Sequence, residues 1–149
     1  MDFKLETSLN HNIASLAILL KRQVFRIIAK NKLNISPEQW VIMYYLWQEN
    51  GLSVGELAKR AKKDFANVTR IIDKLEKLSY VRKTKSQKDQ RISNIYILEK
   101  ADKIKDSIEA CMIESTSIAM QGIQEEEKNN LLASLHKIEQ NILKNLDKN

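Results

Sequence analysis

Only three glycines and one proline occur in 149 residues. A β-sandwich or β-barrel of this length changes direction many times and draws on glycine and proline to do so. So few turn formers point to long helices joined by few tight turns. The chain is 43% hydrophobic and 30% charged. That is enough apolar material for one packed domain, or for one small domain with an oligomerisation element.

Hydrophobic periodicity supports the helical reading. Leu9, Ile13, Leu16, Leu20, Val24 and Ile27 recur at steps of three and four, which places them on one stripe of a helix over about residues 7–32. Lys21, Arg22, Arg26 and Lys30 lie on the opposite face. Ser36, Pro37 and Gln39 form a capping signature that starts a second helix. Its segment from Trp40 to Trp47 is apolar nearly all round, so a central core helix is expected. Ser53 and Glu56 form a second capping box for a short helix over about 54–62. Asp64 is placed to cap a fourth helix, residues 65–78, with Val68, Ile71, Ile72, Leu75 and Leu78 on its inner face.

The period then changes. Residues 80–85 and 91–99 are rich in Val, Ile and Tyr and alternate as strands do. Ser86 to Gln90 join them, so a β-hairpin with a basic loop is expected. Helical spacing returns with Ile104, Ile108, Cys111, Met112, Ser115 and Ile118. Gly122 breaks it, Glu125 to Glu127 suit the start of a last helix, and Leu131, Leu135, Ile138, Ile142 and Leu146 form its stripe. The terminal stripes have no evident partner in a compact central domain. They are expected to be buried on each other or on a second copy of the chain, most simply with two-fold symmetry.

Charge is concentrated in the middle of the chain. Residues 51–99 hold 12 Lys and Arg against 6 Asp and Glu, whereas residues 100–149 hold 7 against 9. A localised basic region is the footprint of a polyanion-binding surface. No stretch of about 18 or more apolar residues is present, so no transmembrane helix is expected. Residues 1–11 lack a basic-then-apolar leader, and a cytoplasmic protein is expected. One cysteine and two histidines provide neither an internal disulfide nor an ordinary structural zinc site, and no cofactor is expected. Cys111 falls on an apolar stripe and reads as a buried small hydrophobe. Trp40, Tyr44 and Trp47 read as core rather than as a ligand crevice. There is no glycine-rich phosphate loop, no His-x-x-x-His and no nucleophile elbow, which argues against an enzyme.

Residues 53–98 therefore read helix, turn, helix, two-stranded wing. In a helix-turn-helix the start of the second helix meets base edges in the major groove. Those positions are Phe65, Ala66, Asn67, Thr69 and Arg70, with Lys74 further along. Arg70 offers paired donors to guanine and Asn67 pairs with adenine, while Thr69 meets a base or a thymine methyl. Ser53, Lys62 and Lys63 are candidates for phosphate contact. The hairpin adds Lys83, Lys85, Lys88 and Arg91, placed for an adjacent minor groove. A second reading is a winged-helix interaction module whose basic face binds RNA or an acidic protein. A third makes the terminal helices the functional part.

The stretches Leu52-Ser53-x-x-Glu56-Leu57-Ala58, Val68 to Lys77, Tyr80-Val81-Arg82, Asp89-Gln90-Arg91 and Ile95 to Glu99 together resemble the MarR family of winged helix-turn-helix regulators. The resemblance spans almost the whole chain. It implies a mainly α fold with a small β-hairpin wing, with residues 34–99 binding DNA and residues 1–33 and 100–149 forming a helical dimerisation region. It further implies a homodimer on pseudo-palindromic double-stranded DNA, commonly a repressor released by a small organic effector or an oxidant. By the same resemblance Arg91 enters the minor groove and Asp89 orients it. Ser79 stands where the family usually has a helix-ending glycine. Glu99 and Ala101 replace the threonine and glycine that open the next helix, and Gln90 replaces a basic wing residue.

Overall fold

The computed structural model describes residues 4–146. A 3₁₀ turn, Leu5–Thr7, precedes α1 (Leu9–Lys30). Then follow α2 (Pro37–Gln48), β1 (Leu52–Ser53), α3 (Val54–Ala61), α4 (Phe65–Lys77), β2 (Val81–Lys85), β3 (Ser93–Ile97), α5 (Glu99–Asp102), α6 (Lys105–Ala119) and α7 (Glu125–Leu146). The chain forms two compact units, one ending at Ser115 and one beginning at Thr116.

Local chemistry explains most of the boundaries. The Ser36 hydroxyl accepts from the Gln39 N–H, and the Gln39 side chain accepts from the Ser36 N–H. Ser53 and Glu56 repeat this reciprocal box at α3, and the Asp64 carboxylate caps α4 by accepting from the Asn67 N–H at 2.7 Å. The Ser53 hydrogen bonds hold the Glu56 carboxyl below its ordinary pKa, backbone first.

The helix ends are less usual. Lys32, Lys62 and Ser79 all adopt positive φ, at 57°, 53° and 59°. Each follows a helix whose closing carbonyl is bonded from the next residue: Leu33 N–H to Ile28, Lys63 N–H to Ala58, and Tyr80 N–H to Leu75. This is the Schellman closure, which glycine normally supplies without steric cost. Ser79 thus occupies the glycine position while keeping the cap geometry. Ser79→Gly should raise stability by about 0.5–1 kcal/mol, the relief of left-handed strain minus the entropy added to the unfolded chain. A urea titration checks this, and an unchanged or lower midpoint would show that Ser79 is not strained there.

The sheet has three antiparallel strands in the order β1-β3-β2, with Leu52 opposite Ile95 and Lys83 opposite Ile95 from the other side. The expected wing had two strands. The added strand is too short to leave a periodic signal, and it forms because Gly51 bends the chain back onto β3. Gly51 has φ 81°, donates to the Ile95 carbonyl at 3.0 Å, and lies so close to the Tyr96 ring that a Cβ would meet it at 3.0 Å. Asn50 fastens the same bend by accepting from the Ile97 N–H.

The core lies among α2, α3, α4 and the sheet. Ile42, Met43, Leu46, Leu57, Val68, Ile72, Leu75 and Ile95 are all fully buried. Two sequence expectations need correction. First, α2 buries one face only: Trp40 and Trp47 are half-buried and pack against the core as expected, but Tyr44, its ring 5.6 Å from that of Trp40, is 40% exposed. In α1 only Ile27 and Ile28 are buried, which leaves the stripe of Leu9, Ile13, Leu16 and Leu20 exposed in the single chain. Second, the segment after the wing is not one long helix. Four-residue α5 comes first, with Ala101 fully buried, and the chain turns again at Lys103 and Ile104 before α6. No side chain caps α5, whose N-cap residue is Leu98, with Glu99 the first residue of the helix. The α6 stripe of Ile108, Cys111 and Ser115 is buried as its spacing implied. In the second unit, α7 buries no residue.

Candidate DNA-binding surface

Helix α3, the turn Lys62–Asp64 and α4 form a helix-turn-helix. The left-handed Lys62 makes the turn tight, and the Asp64 cap fixes where α4 begins. Val68, Ile71, Ile72 and Leu75 anchor one face of α4 in the core. The opposite face is thereby presented outward. Phe65 is 61% exposed, Ala66, Arg70 and Lys74 are exposed, and Asn67 and Thr69 are half-buried. The Thr69 hydroxyl donates to the Phe65 carbonyl at 2.8 Å. Its hydrogen is therefore committed, and the oxygen is left as an acceptor.

The wing loop, residues 86–92, is held by its own hydrogen bonds. Ser86 N–H donates to the Ile92 carbonyl and Ile92 N–H to the Asp89 carbonyl. The Ser86 hydroxyl accepts from the N–H of Lys88. The Asp89 carboxylate accepts from the backbone N–H of Arg91 at 2.9 Å. Asp89 thus shapes the tip through the backbone, and among the described residues no ion pair joins its carboxylate to the Arg91 guanidinium. The side chains of Lys85, Lys88, Gln90 and Arg91 are exposed. Arg91 lies in the loop itself, two residues before the strand that was expected to begin with it.

A crevice of about 400 Å³ runs between these parts. It brings together Ser53 and Gly55 at the start of α3, Phe65 and Thr69 on α4, and Lys83, Arg91 and Ile92 of the wing. Asn67, Arg70, Lys74, Lys62, Lys63, Lys85 and Lys88 lie outside it. The exposed apolar pair Phe65 and Ile92, the latter 43% exposed, was not expected from sequence for Ile92.

Lys83 differs from the other wing cations. Its ammonium lies 2.5 Å from Asp73 Oδ1 and 3.3 Å from Glu76 Oε2, and its backbone N–H donates to Glu76 Oε1 at 3.0 Å. The Asp73 hydrogen bond is the main cause of a raised Lys83 pKa, so the side chain stays charged. A second cation acts at the far end of α4. Lys100 donates to the Leu78 carbonyl at 2.8 Å and lies over the Tyr80 ring, satisfying a helix terminus that favours positive charge. Neither role of Asp73, Glu76 or Lys100 was visible in the sequence, because each partner comes from another element.

Cys111 is 2% exposed, and burial pushes its thiol pKa up. That disfavours the reactive thiolate. Among the described residues no group of three or more His, Cys, Asp or Glu is placed to hold a metal ion, and no helix is long and apolar enough to cross a membrane.

Helix, turn, presented helix and basic three-stranded wing define a winged helix-turn-helix protein. Residues 35–93 match the model of the MarR family. YybA of Bacillus subtilis (strain 168), described as an uncharacterized HTH-type transcriptional regulator, is 26% identical over 110 residues, 74% of this chain and 73% of its own. A MarR/EmrR family transcriptional regulator from Acinetobacter sp. ADP1 superposes with TM-score 0.83 at 22% identity, covering 95% of this chain and 99% of that one. A MarR protein from Peptoclostridium difficile superposes with TM-score 0.79 at 25% identity, covering 95% and 94%. Over residues 35–93 the chain is thus similar to the MarR family, and its fold is that of the winged-helix regulators on which it superposes.

Proposed function

We propose that this chain is a cytoplasmic homodimeric repressor. It binds a pseudo-palindromic duplex and is released by a small organic effector. The observation that carries the reading is the convergence of the outward face of α4 and the Arg91 loop on one crevice. In this reading Arg70 and Asn67 read bases in the major groove, with Thr69 as an acceptor beside them. Arg91 enters the neighbouring minor groove. Lys62, Lys63, Lys74, Lys85 and Lys88 neutralise phosphates, and Ser53 adds a hydroxyl contact. Two heads related by a two-fold axis would meet successive major grooves roughly 34–36 Å apart.

Dimerisation is supported by the uncovered apolar stripes. Leu9, Leu16 and Leu20 of α1 are exposed, and so are Leu131, Leu135, Ile142 and Leu146 of α7. An exposed apolar stripe along a helix, as each of these is, marks an interface. An effector site is supported by a second crevice of about 490 Å³ between α1 and the start of α2. There Ile18 and Phe25 lie beside Arg22 and the Lys21–Glu38 ion pair, a setting for a largely apolar organic ligand. Such a ligand acts only by favouring a spacing of the heads other than the DNA-bound one.

Selection of bound fragments from sheared genomic DNA at about physiological salt tests the reading. A shared two-fold symmetric site is expected. Recovery of fragments with no common site would reject it and favour a module that binds RNA or an acidic protein through charge alone.

A further inference from the structure

We infer that Lys83, Asp73 and Glu76 form a clamp that sets the angle of the wing against the recognition helix, so that Lys83 positions Arg91 rather than contacting DNA. The inference rests on the DNA-binding reading above. Strand β2 is an edge strand, because the sheet order is β1-β3-β2. Its free edge faces α4. Glu76 accepts the edge N–H of Lys83 at 3.0 Å, while the Lys83 ammonium spans Asp73 at 2.5 Å and Glu76 at 3.3 Å. One residue is thus tied to the helix by both its backbone and its side chain.

Lys85, Lys88 and Arg91 form no ion pair among the described residues, so Lys83 is the exception within the wing. The geometry supplies leverage. Lys83 is opposite Ile95 in mid-hairpin, and Lys85, opposite Ser93, is the last residue of β2 before the loop. The Arg91 loop lies roughly 10 Å beyond the clamp, at about 3.3 Å per strand residue. A tilt of ~10° would move the tip by ~2 Å, which exceeds the tolerance of a hydrogen bond.

The test compares wild type, Lys83→Met, Lys83→Arg and the charge-exchanged Asp73→Lys/Lys83→Asp pair. The probes are the selected symmetric duplex and a random duplex of equal length, titrated over a range of salt. Amide hydrogen exchange is followed in the free protein. Lys83→Met is expected to weaken symmetric-site binding about tenfold. Random-duplex affinity and the salt slope should stay unchanged, and exchange across residues 83–92 should rise. Lys83→Arg and the exchanged pair are expected to recover much of the loss. A salt slope lower by about 1 per head, with both duplexes weakened alike, would make Lys83 a phosphate contact and overturn the clamp. Unchanged exchange in Lys83→Met would overturn it as well, whatever DNA does. Failure of the wild type to prefer the symmetric duplex would instead reject the DNA reading, and with it any positioning of Arg91. The exchange data would still judge the clamp alone.

Discussion

Arg91→Ala is expected to weaken binding to the symmetric operator by about 1–3 kcal/mol per head, or roughly 2–6 kcal/mol for a dimer with independent heads. In the proposed reading the Arg91 guanidinium is the group that enters the minor groove, and the loop that carries it is held by hydrogen bonds that do not involve that side chain. Asp89 holds the Arg91 N–H, and Ser86 and Ile92 close the loop base. Removing the side chain should therefore leave the wing folded. Titration of the operator by fluorescence anisotropy measures the loss, with sedimentation confirming an intact dimer. Operator affinity within twofold of wild type would refute the wing assignment. The clamp makes a related expectation: Arg91→Ala combined with Lys83→Met should lose little more than Arg91→Ala alone, since one acts through the other.

The second large effect is expected at α1. Leu16 is 53% exposed in the single chain, so a charge there meets water and should not disturb the core around Ile42 and Leu57. In a homodimer the same position is covered, and two-fold symmetry buries the charge twice. An uncompensated buried charge costs several kcal/mol. Leu16→Glu is therefore expected to convert the dimer to monomer at micromolar concentration. Operator affinity should fall with it, because two linked heads bind far more tightly than one. Sedimentation equilibrium and operator titration check the two effects together. A Leu16→Glu protein that remains dimeric would place the interface elsewhere.

The two experiments separate parts of the function. In the proposed reading Arg91→Ala acts at the DNA and leaves assembly untouched, whereas Leu16→Glu acts on assembly and leaves each head intact. A shared site selected from genomic DNA, lost in both variants for these different reasons, would give the regulator reading two independent supports.

Residues three or four apart were enough to locate most helices. The Ser36–Gln39 and Ser53–Glu56 boxes and the Asp64 cap start α2, α3 and α4 where the sequence indicated. The hairpin follows from the change of period at Tyr80, and Gly122 breaks the helical run as its φ of 80° requires. Even the Ser79 departure was legible, since only the position after a helix end demands that conformation. These features rest on bonds within one turn of chain, so local chemistry settles them. The outward face of α4 was legible for the same reason: burying Val68, Ile72 and Leu75 leaves Asn67 and Arg70 on other faces.

Tertiary structure alone decided which stripes find cover. Periodicity gives Leu16 and Ile27 the same standing on α1, yet Ile27 is buried and Leu16 is not, because α2 and its neighbours reach only the end of that helix. Strand β1 exists because Leu52 meets Ile95, 43 positions away, across a bend that Gly51 permits. Lys83 looked like its fellow wing lysines until α4 brought Asp73 and Glu76 to it. In each case the deciding energy is a contact between distant segments, and a one-dimensional pattern carries the chemistry of both partners without the distance between them.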